Sequence, residues 1–195
     1  MEFFEIVRVA VGHSHAYDWR GPKEKLFLVK GACIVKFGSS SKALQEGDVL
    51  DLPPAEEEYV VTGDDPASTL VRVTGRWGEE TGSSGVFTLY ASGEPLNQGD
   101  PTEYERNTQF DNHYHDCDEC WIIIEGRGQV ISEGIPYEVS GGDCVATGRV
   151  HHHDFPWVQE PVLGIWFETT LEEEKRKGHL WNHTHGVARP LFDRV

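Results

Sequence analysis

Long apolar runs are missing from this chain, and so is any sizeable block of basic residues. No stretch approaches the roughly 20 apolar residues that a membrane-spanning helix needs. The opening "MEFFEIVRVAVGHSH" carries Glu2, Glu5 and Arg8, with neither a basic start nor a small-residue cleavage site, so no signal peptide is expected. Lys and Arg number 17 against 33 Asp and Glu, which gives a net charge of −16. The largest basic cluster is "EEEKRKG" at residues 172–178, too little to displace counterions from a nucleic acid. An acidic surface also repels anionic membranes, which leaves a small molecule as the expected partner. Cysteine is scarce at four residues (Cys33, Cys117, Cys120, Cys144). That excludes a disulfide-built scaffold and makes a reducing cytoplasm the expected location.

Helical periodicity is scarce too. The only helical candidate is "TTLEEEKRKGHL", residues 169–180. What the chain does contain is short strand signals bounded by Gly, Pro, Asp or Ser. They are "EKLFLVKG", "ACIVKF", "VLDLP", "YVVTG" and "TLVRVTG" in the first half, and "CWIIIEG", "GQVIS", "PYEVS", "DCVAT" and "VLGIWFE" in the second. Many short strands at regular spacing predict an all-β sandwich, barrel or jelly roll.

The two halves repeat at an offset of 95 residues. Glu24 falls on Glu119, Gly31 on Gly126, Gly47 on Gly142 and Asp48 on Asp143; Val35 falls on Val130 and Pro66 on Pro161. Self-similarity of this kind marks two copies of one β unit. The join is the Gly- and Ser-rich "GRWGEETGSSGVF", residues 75–87. The expected organisation is a first unit at 1–75, a linker and leading strand at 76–105, a second unit at 106–170 and a tail at 171–195.

Chemistry concentrates in "FDNHYHDCDECWIIIEGRG", residues 110–128. His113 and His115 are two apart, so on an extended chain both imidazoles leave one face and can reach one cation. Glu119 lies a further even step along. Another ligand is expected from "GGDCVATGRVHHHDFP", where His151 and His153 share a face and His152 points away. Either could complete a set of three histidines and one glutamate suited to a single divalent Fe, Mn, Ni, Cu or Zn. Trp121, an even step from Glu119, is a candidate substrate platform. Cys117 and Cys120 lack the helix or second cysteine pair that redox or zinc chemistry needs, and are read as loop and core residues. The partner of each bound imidazole's outer nitrogen is expected to be a carboxylate such as Asp116 or Asp154.

"HYHDCDECWIIIEG" resembles the first motif of the cupin family, H-x-H-x₃-E-x₆-G, at every fixed position. The second motif, G-x₅-P-x-G-x₂-H, is matched by Gly142 but has Gly148 in place of its proline and Val150 in place of its glycine. Counted without gaps its histidine is His153; counted back from "GRVH" it is His151. The repeat favours His153, because Glu58 ends the same motif in the first half. By the same mapping the first half has Asp18 and Arg20 at the histidine positions and keeps the glutamate as Glu24. An arginine cannot lose its proton to bind a metal. The resemblance therefore implies two tandem cupin-type jelly-roll barrels with a short C-terminal helical segment, the first barrel metal-free and the second metal-binding. His13 and His15 form another H-x-H upstream, and His179, His183 and His185 lie in the tail; a second site at either place is a lesser alternative.

The family implied includes metal-dependent dioxygenases, isomerases and epimerases, and non-catalytic binders. A four-ligand site can leave two octahedral positions for O₂, water or a bidentate substrate. A dioxygenase-type oxidoreductase acting on a small organic molecule is the favoured expectation. The resemblance also implies a homodimer formed through edge strands, with "FFEIVRV" as a suitable edge.

Overall fold

The computed structural model describes residues 1–52, 58–78, 83–92 and 99–170, together with the backbone of 181–182 and 189–190. Every element among them is a β-strand. The chain divides into two compact units, Met1–Gly78 with Ser84–Val86, and Glu79–Ser83 with Phe87–Val195. No helix is present among the described residues, and none is therefore long and apolar enough to cross a membrane. The helical segment expected at 169–180 lies outside the described residues from 171 onward, and Thr169 ends a strand.

The first unit contains β1 (Phe3–Val9), β2 (Ser14–Tyr17), β3 (Lys23–Lys30), β4 (Ala32–Phe37), β5 (Ser40–Gln45), β6 (Val49–Leu52), β7 (Tyr59–Gly63) and β8 (Ser68–Gly75). They form two four-stranded sheets, ordered β1-β8-β3-β6 and β2-β7-β4-β5. The named strand pairs are antiparallel. Alternation puts Cys33 and Val35, Leu50 and Leu52, and Tyr59 and Val61 inside. With Leu26, Leu28, Leu44 and Leu70 they make one core. Each fully buried aliphatic or aromatic side chain there contributes about 1.5–3 kcal/mol. β1 pairs with β8 at one end of its sheet, so the apolar "FFEIVRV" is an edge strand.

The second unit contains the Phe87–Leu89 part of β9 (Ser84–Leu89), then β10 (Asp118–Ser132), β11 (Ile135–Ser140), β12 (Cys144–Thr147) and β13 (His153–Thr169). Two short strands, β14 (Trp181–Asn182) and β15 (Arg189–Pro190), pair with each other. The main sheet runs β11-β10-β13-β9, with β12 also on β10. Its core gathers Trp121, Ile123, Val130, Val139, Phe155, Val158 and Val162.

The segments "CWIIIEG" and "GQVIS", expected as two separate strands, are one continuous β10. The register against β13 shifts at Ile123/Glu125, Glu125/Arg127 and Arg127/Gly128. Gly126 has φ +88°, and a Cβ there would stand 2.0 Å from the Pro161 carbonyl oxygen. Glycine thus absorbs the bend as a bulge and the ladder continues past it. In the same way "VLGIWFE" is the end of the 17-residue β13.

The 95-residue repeat is visible as matched hydrogen bonds. Leu28 N–H donates to Asp48 O at 2.9 Å, and Ile123 N–H to Asp143 O at 2.9 Å. Gly47 N–H donates to Leu28 O at 2.8 Å, and Gly142 N–H to Ile123 O at 2.8 Å. The Asp48 carboxylate accepts from Gln45 N–H and the Asp143 carboxylate from Ser140 N–H, both at 2.8 Å. Each pair differs by 95 in donor and acceptor alike.

Candidate metal centre

Glu119 lies one residue inside β10, where it pairs with Thr147 of β12 and Glu168 of β13. His153 is the first residue of β13. The loop carrying His113 is tied to it by a reciprocal backbone pair, His113 N–H to His153 O at 3.2 Å and His153 N–H to His113 O at 2.9 Å. Val150 N–H donates to His115 O at 2.7 Å and Arg149 N–H to the Asp118 carboxylate at 3.0 Å. These bonds bring together side chains from two distant segments. One ligand atom from each of His113, His115, Glu119 and His153 lies within 4.8 Å of all the others. The cluster is buried except at His113, whose side chain is 15% exposed.

The outer nitrogens fix how each ring presents itself. His113 Nδ1 is 2.9 Å from Asp111 O, His115 Nδ1 is 3.1 Å from Cys117 O, and His153 Nδ1 is 3.0 Å from His151 O. A carbonyl only accepts, so each Nδ1 carries a proton and each Nε2 is left as the donor atom. The carboxylate partners expected from sequence are replaced by backbone carbonyls two residues away. Asp154 is engaged elsewhere, accepting from Tyr104 OH at 2.8 Å and from the Arg106 guanidinium.

Glu119 Oε2 lies 3.0 Å from His115 Nε2 and 2.9 Å from His153 Nε2. Oε1 accepts from the Trp121 indole N–H at 2.7 Å. Burial by itself would lower the His115 pKa, but its bonds with Cys117 and Glu119 outweigh this and push it up to about 10. Burial likewise acts to raise Glu119, yet the hydrogen bond with His115 and the closeness of the His153 and His115 rings hold it well below the usual carboxylate range. Burial and the neighbouring His153 lower His113. His153 Nε2 is buried and, despite its closeness to Glu119, makes no hydrogen bond of acceptable geometry. Three imidazoles and a carboxylate with ligand atoms within 4.8 Å of one another, His153 Nε2 among them unsatisfied, fit a divalent transition-metal ion.

The remaining sequence candidates fall outside this group. His151 is exposed, with Nδ1 bonded to Arg149 O at 3.0 Å. His152 points away and lies 2.9 Å from Asp100. His13 and His15 are exposed on or near β2, and the tail histidines lie outside the described residues. Trp121 does reach the ligands, but as a buried hydrogen-bond donor inside the core. Cys117 and Cys120 are buried free thiols. Cys120 bonds with Cys144, which together with burial pushes its thiol up.

Cys117, whose default reading from sequence is a loop or core thiol, lies beside a ligand ring. Its sulfur sits 3.3 Å from His115 Nδ1 and 3.6 Å from Glu168 Oε2, and Glu168 is held by Ser83 through its N–H and hydroxyl. Ser83, Glu168 and Cys117 thus form a chain of contacts behind His115. A glutamate in the apolar end of "VLGIWFE" was the available signal, since a buried carboxylate needs partners.

The matching position in the first unit is closed by a side chain. Glu24 accepts from Arg72 Nε at 2.9 Å and Nη2 at 2.6 Å, from Tyr59 OH at 2.9 Å and from Arg20 N–H at 2.8 Å. Arg72 also bonds Glu5 Oε1 at 3.0 Å. The guanidinium supplies the positive charge that this carboxylate needs, and among the described residues no group of metal-ligand character forms there. Arg72 stands alone as a charge in the otherwise apolar "TLVRVTG", and that was the signal for it.

No family model matches the chain. The uncharacterized protein y4oW of Sinorhizobium fredii is 44% identical over 173 residues, which is 89% of this chain and 80% of that protein. Among solved structures, AerE from Microcystis aeruginosa is similar with a TM-score of 0.56 at 10% identity, covering 85% of this chain and 86% of that one. YlbA from Escherichia coli gives 0.55 at 15% identity, covering 88% and 78%. A variant of the Bacillus subtilis oxalate decarboxylase OxdC gives 0.56 at 11% identity, covering 96% and 70%. At these identities the likeness shows the fold alone, which is that of cupin-type barrel proteins.

Proposed function

This chain belongs to the family of the Sinorhizobium fredii protein y4oW, and from that premise we propose that it is a bicupin with one metal centre, acting as a metal-dependent enzyme on a small organic molecule. The first barrel is a structural partner whose site is filled by Arg72. The second holds the metal on His113, His115, Glu119 and His153. The observation that carries the reading is the gathering of one ligand atom from each of His113, His115, Glu119 and His153 within 4.8 Å in a largely buried cluster, with every outer nitrogen tied to a carbonyl.

A divalent transition metal bound there supplies a Lewis acid and, when redox-active, a means of activating O₂. The three neutral imidazoles and one carboxylate leave a net charge of +1 on such an ion, which favours a chelating anionic substrate. Phe110 lies 5.7 Å from the His113 ring and Trp121 5.4 Å from the His153 ring, so aromatic side chains flank the cluster. The dioxygenase-type reading is favoured because a redox-active ion on three imidazoles and one carboxylate can activate O₂ while it holds a substrate. The Mn(II) centres of Bacillus subtilis oxalate decarboxylase support manganese, beside iron, as a metal to load first.

The test is metal analysis followed by substrate screening with O₂ consumption as the readout. Metal-dependent turnover that stops when oxygen is removed is the expected result. Turnover indifferent to oxygen would replace this reading with the isomerase, and bound metal without turnover would replace it with a binding module. A homodimer through the β1 edge completes the proposal, and a strict monomer in sedimentation at high concentration would refute that part.

A further inference from the structure

We propose that Trp121 is a positioning residue that keeps Glu119 a one-oxygen donor, so that the protein offers a metal four atoms rather than five and leaves room for a chelating substrate. This inference rests on the metal-centre reading above.

The two oxygens of Glu119 have different surroundings. Oε2 faces His115 Nε2 at 3.0 Å and His153 Nε2 at 2.9 Å. Oε1 is held at 2.7 Å by the indole N–H of Trp121. A carboxylate can bind a cation through one oxygen or both. An indole N–H only donates, so the oxygen it holds is drawn away from the cluster. Rotating the carboxylate to bring Oε1 onto a metal would pull it out of line with that buried N–H and weaken or break the bond.

The indole cannot follow the carboxylate, because its ring is fixed on several sides. It stacks on Phe155 at 5.9 Å and 21°, meets Phe110 edge-on at 5.2 Å and 76°, and meets the His153 ring at 5.4 Å and 76°. Only 3% of the residue is exposed. Trp121 therefore sets the rotation of the carboxylate about its own axis.

The first unit provides the contrast. Two residues beyond Glu24 the repeat carries Leu26, which has no donor. There both carboxylate oxygens are taken, Oε1 by Arg72 Nη2 and Arg20 N–H and Oε2 by Arg72 Nε and Tyr59 OH. A donor stands two residues beyond the glutamate in the unit that converges three histidines on it, and none stands there in the unit that closes on an arginine.

The experiment compares Mn²⁺-loaded full-length wild type with Trp121→Phe and with a protein carrying 3-benzothienylalanine at position 121, which keeps the ring shape and lacks the N–H. Metal content is measured, the number of waters on Mn²⁺ is read from water-proton relaxation, and catechol and phenol are titrated as two-oxygen and one-oxygen probes. The expected result is equal metal content, one fewer coordinated water in both altered proteins, and catechol binding weakened about ten-fold with phenol unchanged, the scale typical of lost outer partners. An unchanged water count in the altered proteins overturns the role of Trp121 while leaving the metal centre standing. A wild type that takes up no Mn²⁺ overturns the centre itself. If the Phe variant fails to fold, the benzothienyl protein decides.

Discussion

Arg72 Nη2 lies 2.6 Å from Glu24 Oε1, and both side chains are almost wholly buried. At the repeat-related Glu119 the neighbours are two imidazole Nε2 atoms. One carboxylate is neutralised by a covalently attached cation and the other by groups that can accept one from solution. Truncating one partner of a buried ion pair leaves the other uncompensated, at about 3–5 kcal/mol. Arg72→Met should therefore lower unfolding stability by that amount in urea titration, and adding Glu24→Leu should recover most of it. A single variant as stable as wild type would show the pair to be dispensable.

Metal affinity should depend steeply on pH, and its sign follows from His115. In the metal-free protein the raised His115 pKa contributes stability that is complete below its unfolded value and lost as pH rises through about 10. The depressed Glu119 pKa contributes stability that is complete above its unfolded value and lost as pH falls through the folded one. Binding a metal must displace the extra proton of His115. Apparent affinity should thus rise about ten-fold per pH unit between roughly pH 7 and 9. Competition with a chelator of known pH dependence measures this, and a flat profile would contradict the assigned protonation.

His113→Ala and His153→Ala should each empty the site in protein loaded with one equivalent of metal. His151→Ala and the paired His13→Ala, His15→Ala variant should retain a full equivalent. The comparison separates His153 from His151 directly, because both lie in the same three-histidine run. Retention by His153→Ala with loss by His151→Ala would reverse the assignment.

The all-β character was open to sequence reading because alternation and turn residues are local properties. The repeat was legible for a related reason. Gly47 with Asp48, and Gly142 with Asp143, build the same turn from the same hydrogen bonds. Choosing His153 over His151 needed only that register, which the matched hairpins Phe37–Ser40 and Ser132–Ile135 preserve. What stayed hidden depends on contacts far apart in the chain. Arg72 and Glu24 are 48 residues apart, and Cys117 and Glu168 are 51 apart. Nothing local to "TLVRVTG" says which carboxylate its arginine meets. The outer nitrogens were assigned to side chains because sequence displays side chains, whereas the structure uses main-chain carbonyls that every residue owns.

Val150 occupies the motif position where a glycine is expected, and it adopts φ +68°. A β-branched residue in that region carries strain of about 1–3 kcal/mol. Val150→Gly should raise stability by about 1 kcal/mol net of glycine's greater freedom when unfolded, seen as a higher denaturation midpoint. A lower midpoint would mean that the valine side chain contributes more than its backbone costs.

The same torsion bears on how quickly an ion could leave. The segment just before His153 is bent against its own preference and is kept there by its bond to His115 O. If an ion is held at the cluster, opening of that bond would release the strain stored at Val150 beside a ligand, so glycine at position 150 should lengthen the ion's residence, and an unchanged dissociation rate would show that this turn does not gate exchange.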